Sequence, residues 1–184
     1  VNPDIPILVV PSGPADARET ATLMFTHVIN AARERVWIAS PYFVPDHGVM
    51  NALHLAALRG VDVRILIPDQ PDHLLVYLTA FHFYEEMKDS GITFYRYTDG
   101  FMHGKSILVD EVGAVGTANF DNRSFRLNFE ITAFFLDPEF TAGVEAMFEE
   151  DFRNSRLMTP ADLEDKPFWF RPAVRAARLT APIQ

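Results

Sequence analysis

The stretch FMHGKSILVD, residues 101–110, sets His103 and Lys105 into a run that otherwise reads as a buried strand. Side chains alternate along a strand, so this spacing puts His103, Lys105, Ile107 and Val109 on one face and Asp110 on the other. Asp110 then falls where the strand turns back. Asp suits such turns because its carboxylate accepts from nearby backbone N–H groups, so its first reading is structural. A hairpin loop of Glu111, Val112 and Gly113, with Gly113 left-handed, sets residue 110 opposite 114 and Lys105 opposite Asn119. Cross-strand neighbours lie about 5 Å apart. His103, Lys105 and Asn119 are therefore predicted to form one cluster of donors.

Such a set suits an anion, and phosphate in particular. Lys supplies charge, the Asn amide supplies direction, and both bonds strengthen as charge develops in a transition state. A neutral imidazole nitrogen can attack phosphorus if its other nitrogen is held as a donor. Glu130, at the start of an apolar strand, is the candidate for holding it, because a carboxylate there needs a partner. Taken singly, each residue has an ordinary explanation: a lone strand His usually packs or sits at the surface, and a Lys two positions on reaches solvent. The argument rests on the set.

The elements that must position this set read as one domain spanning residues 1–184, long enough to bury a sizeable core. ILVV (7–10) is predicted as a short buried strand stopped by Pro11 and Gly13, and 16–34 as a helix with Asp16 as its N-cap. RVWIAS (35–40) reads as a strand and PYFVPD (41–46) as a rigid aromatic loop. Asp46 caps a helix through residue 58, ended by Gly60. VDVRILIP is a strand, LLVYLTAFHFYEEMK a helix closed by Gly91, and ITFYRY another strand. This succession predicts an α/β fold with a mixed, largely parallel β-sheet flanked by helices on both faces. After Gly100 follow the hairpin, a strand over 131–137, a helix over 138–152 and a tail over 166–184.

Composition narrows the chemistry. There is no Cys, which removes disulfides, thiol catalysis and Cys-ligated zinc. The net charge of −9 argues against unaided binding to nucleic acid or anionic lipid, whose first requirement is a positive surface. No apolar run reaches the roughly 20 residues of a membrane-spanning helix. VNPDIPILVV lacks the marks of a signal peptide, and the absence of an initiator Met suits a piece of something longer. The tail carries Lys166, Arg171, Arg175 and Arg178 among Phe168, Trp169 and Phe170. It reads as a C-terminal helix docked on the core, with an amphipathic membrane-surface helix as the alternative.

The segment HGKSILVDEVGAVGTAN (103–119) resembles the H-x-K-x-x-x-x-D signature and trailing G-x-x-N of the phospholipase D superfamily. NFDNRSFRLNFE (119–130) and SPYFVPD (40–46) narrow the resemblance to the C-terminal catalytic half of bacterial cardiolipin synthases. That resemblance implies a phosphatidyltransferase working through a phosphohistidine, with phosphatidylglycerol or a similar phospholipid as donor and phosphatidylglycerol as acceptor. By position, His103 is nucleophile or general acid, Lys105 and Asn119 hold phosphate oxygens, Asp110 stabilises the motif and Glu130 orients His103. No cofactor is implied, and no metal is needed in most of the family. The sequence departs from the pattern in having one residue fewer between Asp110 and Gly116.

Only one motif is present where the family site uses two. The second half must come from an N-terminal domain beyond this chain or from a homodimer mate. Two other readings stand beside the transferase: a phosphodiesterase or nuclease acting as a homodimer, and a catalytically incomplete interaction module. Tyr42 and Phe43 either line a substrate entrance or pack under their loop, and Arg123 and Arg126 either contact phosphate or pair with surplus acids. The expected setting is a soluble fragment of a protein that works at the bacterial cytoplasmic membrane surface.

Overall fold

The computed structural model describes residues 5–70 and 72–183. Residues 1–4 of the opening segment and Gln184 of the tail lie outside the described residues. Ten strands are described: β1 (Ile7–Ser12), β2 (Arg35–Ala39), β3 (Phe43–Val44), β4 (Asp62–Pro68), β5 (Thr93–Tyr97), β6 (Ser106–Val109), β7 (Val112–Gly116), β8 (Phe120–Asp121), β9 (Glu130–Phe135) and β10 (Ser155–Leu157). Eight of them form one sheet in the order β1-β9-β7-β6-β2-β4-β5-β10. The parallel part is the central block β2–β4–β5, built by strand–helix–strand crossovers, and the ladders on either side run antiparallel.

Helices cover both faces. One face carries α1 (Thr20–Ala31), α2 (His47–Leu58), α3 (Leu74–Met87) and α7 (Phe170–Arg178), which bury Val36, Ile38, Val63, Ile65 and Ile107. The other carries α5 (Pro138–Arg153), whose Val144, Phe148 and Phe152 pack on Trp37, Leu66 and Leu108. Alternation along β2 and β6 divides the two cores. Asp46 caps α2 as its sequence position implies, accepting from Val49 N–H at 2.9 Å.

Three local readings are corrected. Asp16 does not cap α1; its carboxylate takes the Gly13 N–H in a turn, and the helix starts later, at Thr20. The opening strand is not buried. It continues through Pro11 as the edge strand β1, where Pro needs no ladder partner on its open side, and Ile7, Leu8 and Val9 are each about half exposed. The hairpin turns on Asp110 and Glu111 instead of Glu111–Gly113, with Asp110 itself left-handed at φ 49°. The tail helix α7 is docked, with Phe170, Val174 and Ala177 inward and Phe170 against Phe81 at 5.1 Å.

Candidate active site

The strands β2, β4 and β5 end on one edge of the sheet, and β6 enters from that same edge, Ser106 pairing with Ala39. Three segments therefore meet there: 40–42 after β2, the described residues 69–70 and 72–73 after β4, and 100–105 before β6. Carboxyl ends of parallel strands, beside a change in strand order, are where open α/β sheets bind ligands.

His103 and Lys105 stand on this rim together. Lys105 Nζ lies 3.3 Å from Nδ1 and 3.4 Å from Nε2 of His103, and donates to the His103 carbonyl at 3.1 Å. The strand begins only at Ser106, so the pair sits on the loop feeding it. The imidazole is exposed and stacks on Phe101 at 5.7 Å. Burial lowers the Lys105 pKa from the ordinary lysine value, and the carboxylates of Glu130, Asp121 and Asp72 act against that shift.

Asn119 reaches the rim by a different route from the one expected. The shorter turn slips the hairpin register by three residues, and Lys105 carbonyl accepts from Gly116 N–H at 3.1 Å. The chain then passes Thr117 and Ala118 into β8, which pairs in parallel with β3. Ser40 locks this junction: its hydroxyl donates to Tyr42 carbonyl at 2.6 Å and accepts from Phe120 N–H at 3.0 Å. No hydrogen bond joins Asn119 to Lys105 among the described residues. Asn119 is half-buried, its amide acts as a donor toward Asp121, and its Oδ1 is buried without a partner.

Gly116 has a steric reason. A Cβ there would meet Ile131 carbonyl at 2.5 Å and Thr132 Oγ1 at 2.8 Å, so β7 and β9 approach this closely only at a glycine.

Asp110 lies at the other end of β6, about 16 Å from Lys105 at the rise of a strand. Its carboxylate accepts from Arg33, Glu34 and Arg35 N–H at 2.9, 2.9 and 3.0 Å. Burial alone would raise its pKa, but these bonds and the Arg35 charge hold it below the usual carboxylate value. It pins the start of β2 to the end of β6. Asp110 is thus a scaffold residue and not part of the cluster.

Glu130 does not bond His103. Its Oε1 accepts from Asn128 Nδ2 at 3.1 Å, and its charge faces Lys105 and Asp121. Phe43 lines no entrance: it is fully buried in β3 between Phe94 and Phe120. Tyr42 is at the rim, its hydroxyl donating to Asp72 and its ring edge-on to His73 at 5.9 Å. Burial and the Asp72 carboxylate push its pKa well above the ordinary phenol value, so the hydroxyl remains a donor. Arg126 pairs with Glu19 at 3.0 Å and Asp46 at 3.7 Å, and exposed Arg123 bonds Asn128 Oδ1 at 3.4 Å.

Asp72 and Asp121 are the site residues sequence reasoning missed. Asp121 is almost wholly buried, which raises its pKa, and it caps the short helix α4 (Asn122–Arg126) through Ser124 N–H. Its place between Asn119 and Ser124 was a readable capping signal. Asp72 had none, because only the fold carries its loop to Tyr42. The larger cavities, about 410 Å³ beside His47 and Arg126 and about 530 Å³ beside Asp110, contain neither His103 nor Lys105. The cluster stands on an open rim. Among the described residues no group of three acids or histidines is placed to hold a metal ion.

An imidazole beside an ammonium on an open rim, within an H-x-K-x-x-x-x-D segment, invites comparison with known proteins. Residues 25–152 match the family described as cardiolipin synthase, PLD-like domain. The chain belongs to this family. Among its relatives, cardiolipin synthase A of Pseudomonas aeruginosa is 53% identical over 95% of this chain and 36% of its own length. Cardiolipin synthase A of Pseudomonas putida is 51% identical over 94% and 36%. The chain thus spans about a third of the length of the curated relatives it matches.

Solved structures share this chain's fold at low identity. Phosphatidylserine synthase of Haemophilus influenzae superposes with a TM-score of 0.78 at 17% identity, covering 98% of this chain and 48% of that one. The phospholipase D family member Nuc of Salmonella typhimurium gives 0.71 at 21%, covering 84% and 99%.

Proposed function

We propose that this chain is one catalytic half of a phosphatidyltransferase of cardiolipin synthase type, acting on phosphatidylglycerol or a similar phosphatidyl lipid. The observation that carries the reading is the His103–Lys105 pair at the open end of the central strands, in a chain 53% identical to a cardiolipin synthase A. In the proposed reaction a His103 ring nitrogen attacks the donor phosphorus, and the bond to the leaving glycerol oxygen breaks. That oxygen takes a proton from an acid on the second half. The acceptor hydroxyl then attacks the phosphohistidine, gives its proton to the same group, and frees His103. Lys105 and Asn119 hold phosphate oxygens as charge builds. Glu130 sets the field around Lys105, and Asp110 acts at a distance by fixing β6.

Electrostatics supports a shared site. On the rim the cation Lys105 faces the carboxylates of Asp72, Asp121 and Glu130, in a chain of net charge −9. A phosphodiester therefore needs more positive charge than this half provides. A second H-x-K set supplies that charge and the proton donor, either from a further domain of a longer protein or from a second copy across a two-fold axis. The greater length of the relatives leaves room for the first arrangement. The working place of the whole protein is the membrane holding its lipid, although no described helix is long and apolar enough to cross one.

The test is conversion of labelled phosphatidylglycerol by this chain combined with a second motif-bearing half. Cardiolipin plus glycerol is the expected outcome. Cleavage of single-stranded DNA without lipid turnover would instead assign a nuclease.

A further inference from the structure

The tail contributes more than core packing. Phe170, Val174 and Ala177 dock α7, whereas the two preceding aromatics stay outside: Phe168 is 93% exposed and Trp169 52% exposed. Phe170, next to them in the chain, packs on Tyr77 and Phe81 of α3 at 6.4 and 5.1 Å. In the first turn of that same helix Leu74 is 63% and Leu75 44% exposed. The same turns follow directly on the loop whose Asp72 bonds Tyr42 at the catalytic rim.

Charge singles out what would cover this patch. Residues 166–179 hold Lys166, Arg171, Arg175 and Arg178 and no acid, although the chain as a whole carries −9. Arg171 and Arg175 are exposed and form no ion pair among the described residues. Glu164 and Asp165 lie just before the patch and limit its reach on that side. Exposed aromatic and aliphatic side chains rimmed by arginine match the headgroup zone of an anionic bilayer, where rings sit at the acyl boundary and cations meet phosphate.

We propose that Phe168, Trp169, Leu74 and Leu75, with Arg171 and Arg175, form a docking surface for anionic phospholipid bilayers that holds the catalytic rim at the membrane face. This rests on the lipid-transfer reading for its purpose, but its test needs no turnover.

The 184-residue chain is mixed with vesicles of phosphatidylcholine alone or with equimolar phosphatidylglycerol, and the bound fraction is read by sedimentation. Binding to the anionic vesicles is expected, with Trp169 quenched by brominated acyl chains. Trp37, the other tryptophan, is buried under α5 and stays unquenched. Phe168→Ser with Trp169→Ser is expected to weaken binding at least about tenfold. Arg171→Gln with Arg175→Gln is expected to weaken it by roughly twentyfold and to remove the preference for anionic lipid. Leu58→Ser, at an exposed leucine on α2, leaves it unchanged.

Wild-type chain remaining in the supernatant, or either double variant binding as wild type does, would overturn the proposal. So would a change of mass in solution caused by the aromatic pair alone, which would make the patch a protein contact. Turnover of short-chain monomeric lipid tests the transferase separately and is expected to survive both double variants.

Discussion

Lys105 Nζ sits within 3.4 Å of both ring nitrogens of His103, so one cation and one imidazole share a single point on the sheet rim. A phosphate oxygen placed there meets the ammonium as the phosphorus meets the ring. Lys105→Ala in the two-motif assembly is expected to lower turnover by about 10²–10³-fold, the usual cost of removing one preorganised donor. Thermal unfolding of the variant should stay close to wild type, since Lys105 is only half-buried on an open rim. Turnover within a few-fold of wild type would remove the phosphate-holding role.

Asp110 belongs to the scaffold, and its variants should separate stability from chemistry. Asp110→Ala leaves three backbone N–H groups unpaired and is expected to cost about 1–3 kcal/mol in denaturant unfolding at pH 7. Once folded, it should turn over lipid normally.

The pH dependence of Asp110 has a definite sign. Its folded-state pKa is depressed, so its stabilisation is fully present above the unfolded value of about 3.9 and is lost as pH falls through the lower folded value. Wild type is therefore expected to lose more stability than Asp110→Asn between pH 5 and pH 3. Parallel losses in denaturant titrations at the two pH values would contradict this.

Gly116→Ala places a Cβ within 2.5 Å of Ile131 carbonyl, and β7 and β9 must part. The expected cost is about 1–3 kcal/mol, with reduced turnover because Asn119 follows directly on this crossing. Unfolding curves that match wild type would show that the strands yield freely.

Much of this arrangement is legible in local sequence. The His103–Lys105 contact spans two residues, and the β2–α2–β4–α3–β5 rhythm follows from periodicity and from caps such as Asp46. The register of Asn119 was not legible, because it depends on which residue takes the left-handed turn position. Gly113 is the better local candidate, yet Asp110 takes it, and its carboxylate reaches the backbone of residues 33–35, far away in sequence. Which of the two readings of Phe43 holds was not legible for a similar reason. The two-residue strands β3 and β8 pair across a long sequence separation, and that pairing turns an apparent loop aromatic into core. Asp72 reaches the site only through tertiary folding, so no local pattern marks it.

The most direct test of the central claim compares cardiolipin formation by the assembled two-motif enzyme carrying His103 with the same assembly carrying His103→Ala, alongside trapping of an acid-labile phosphorylated chain. Loss of both product and adduct in the variant is the predicted result. Product formed at a near wild-type rate by His103→Ala would contradict it.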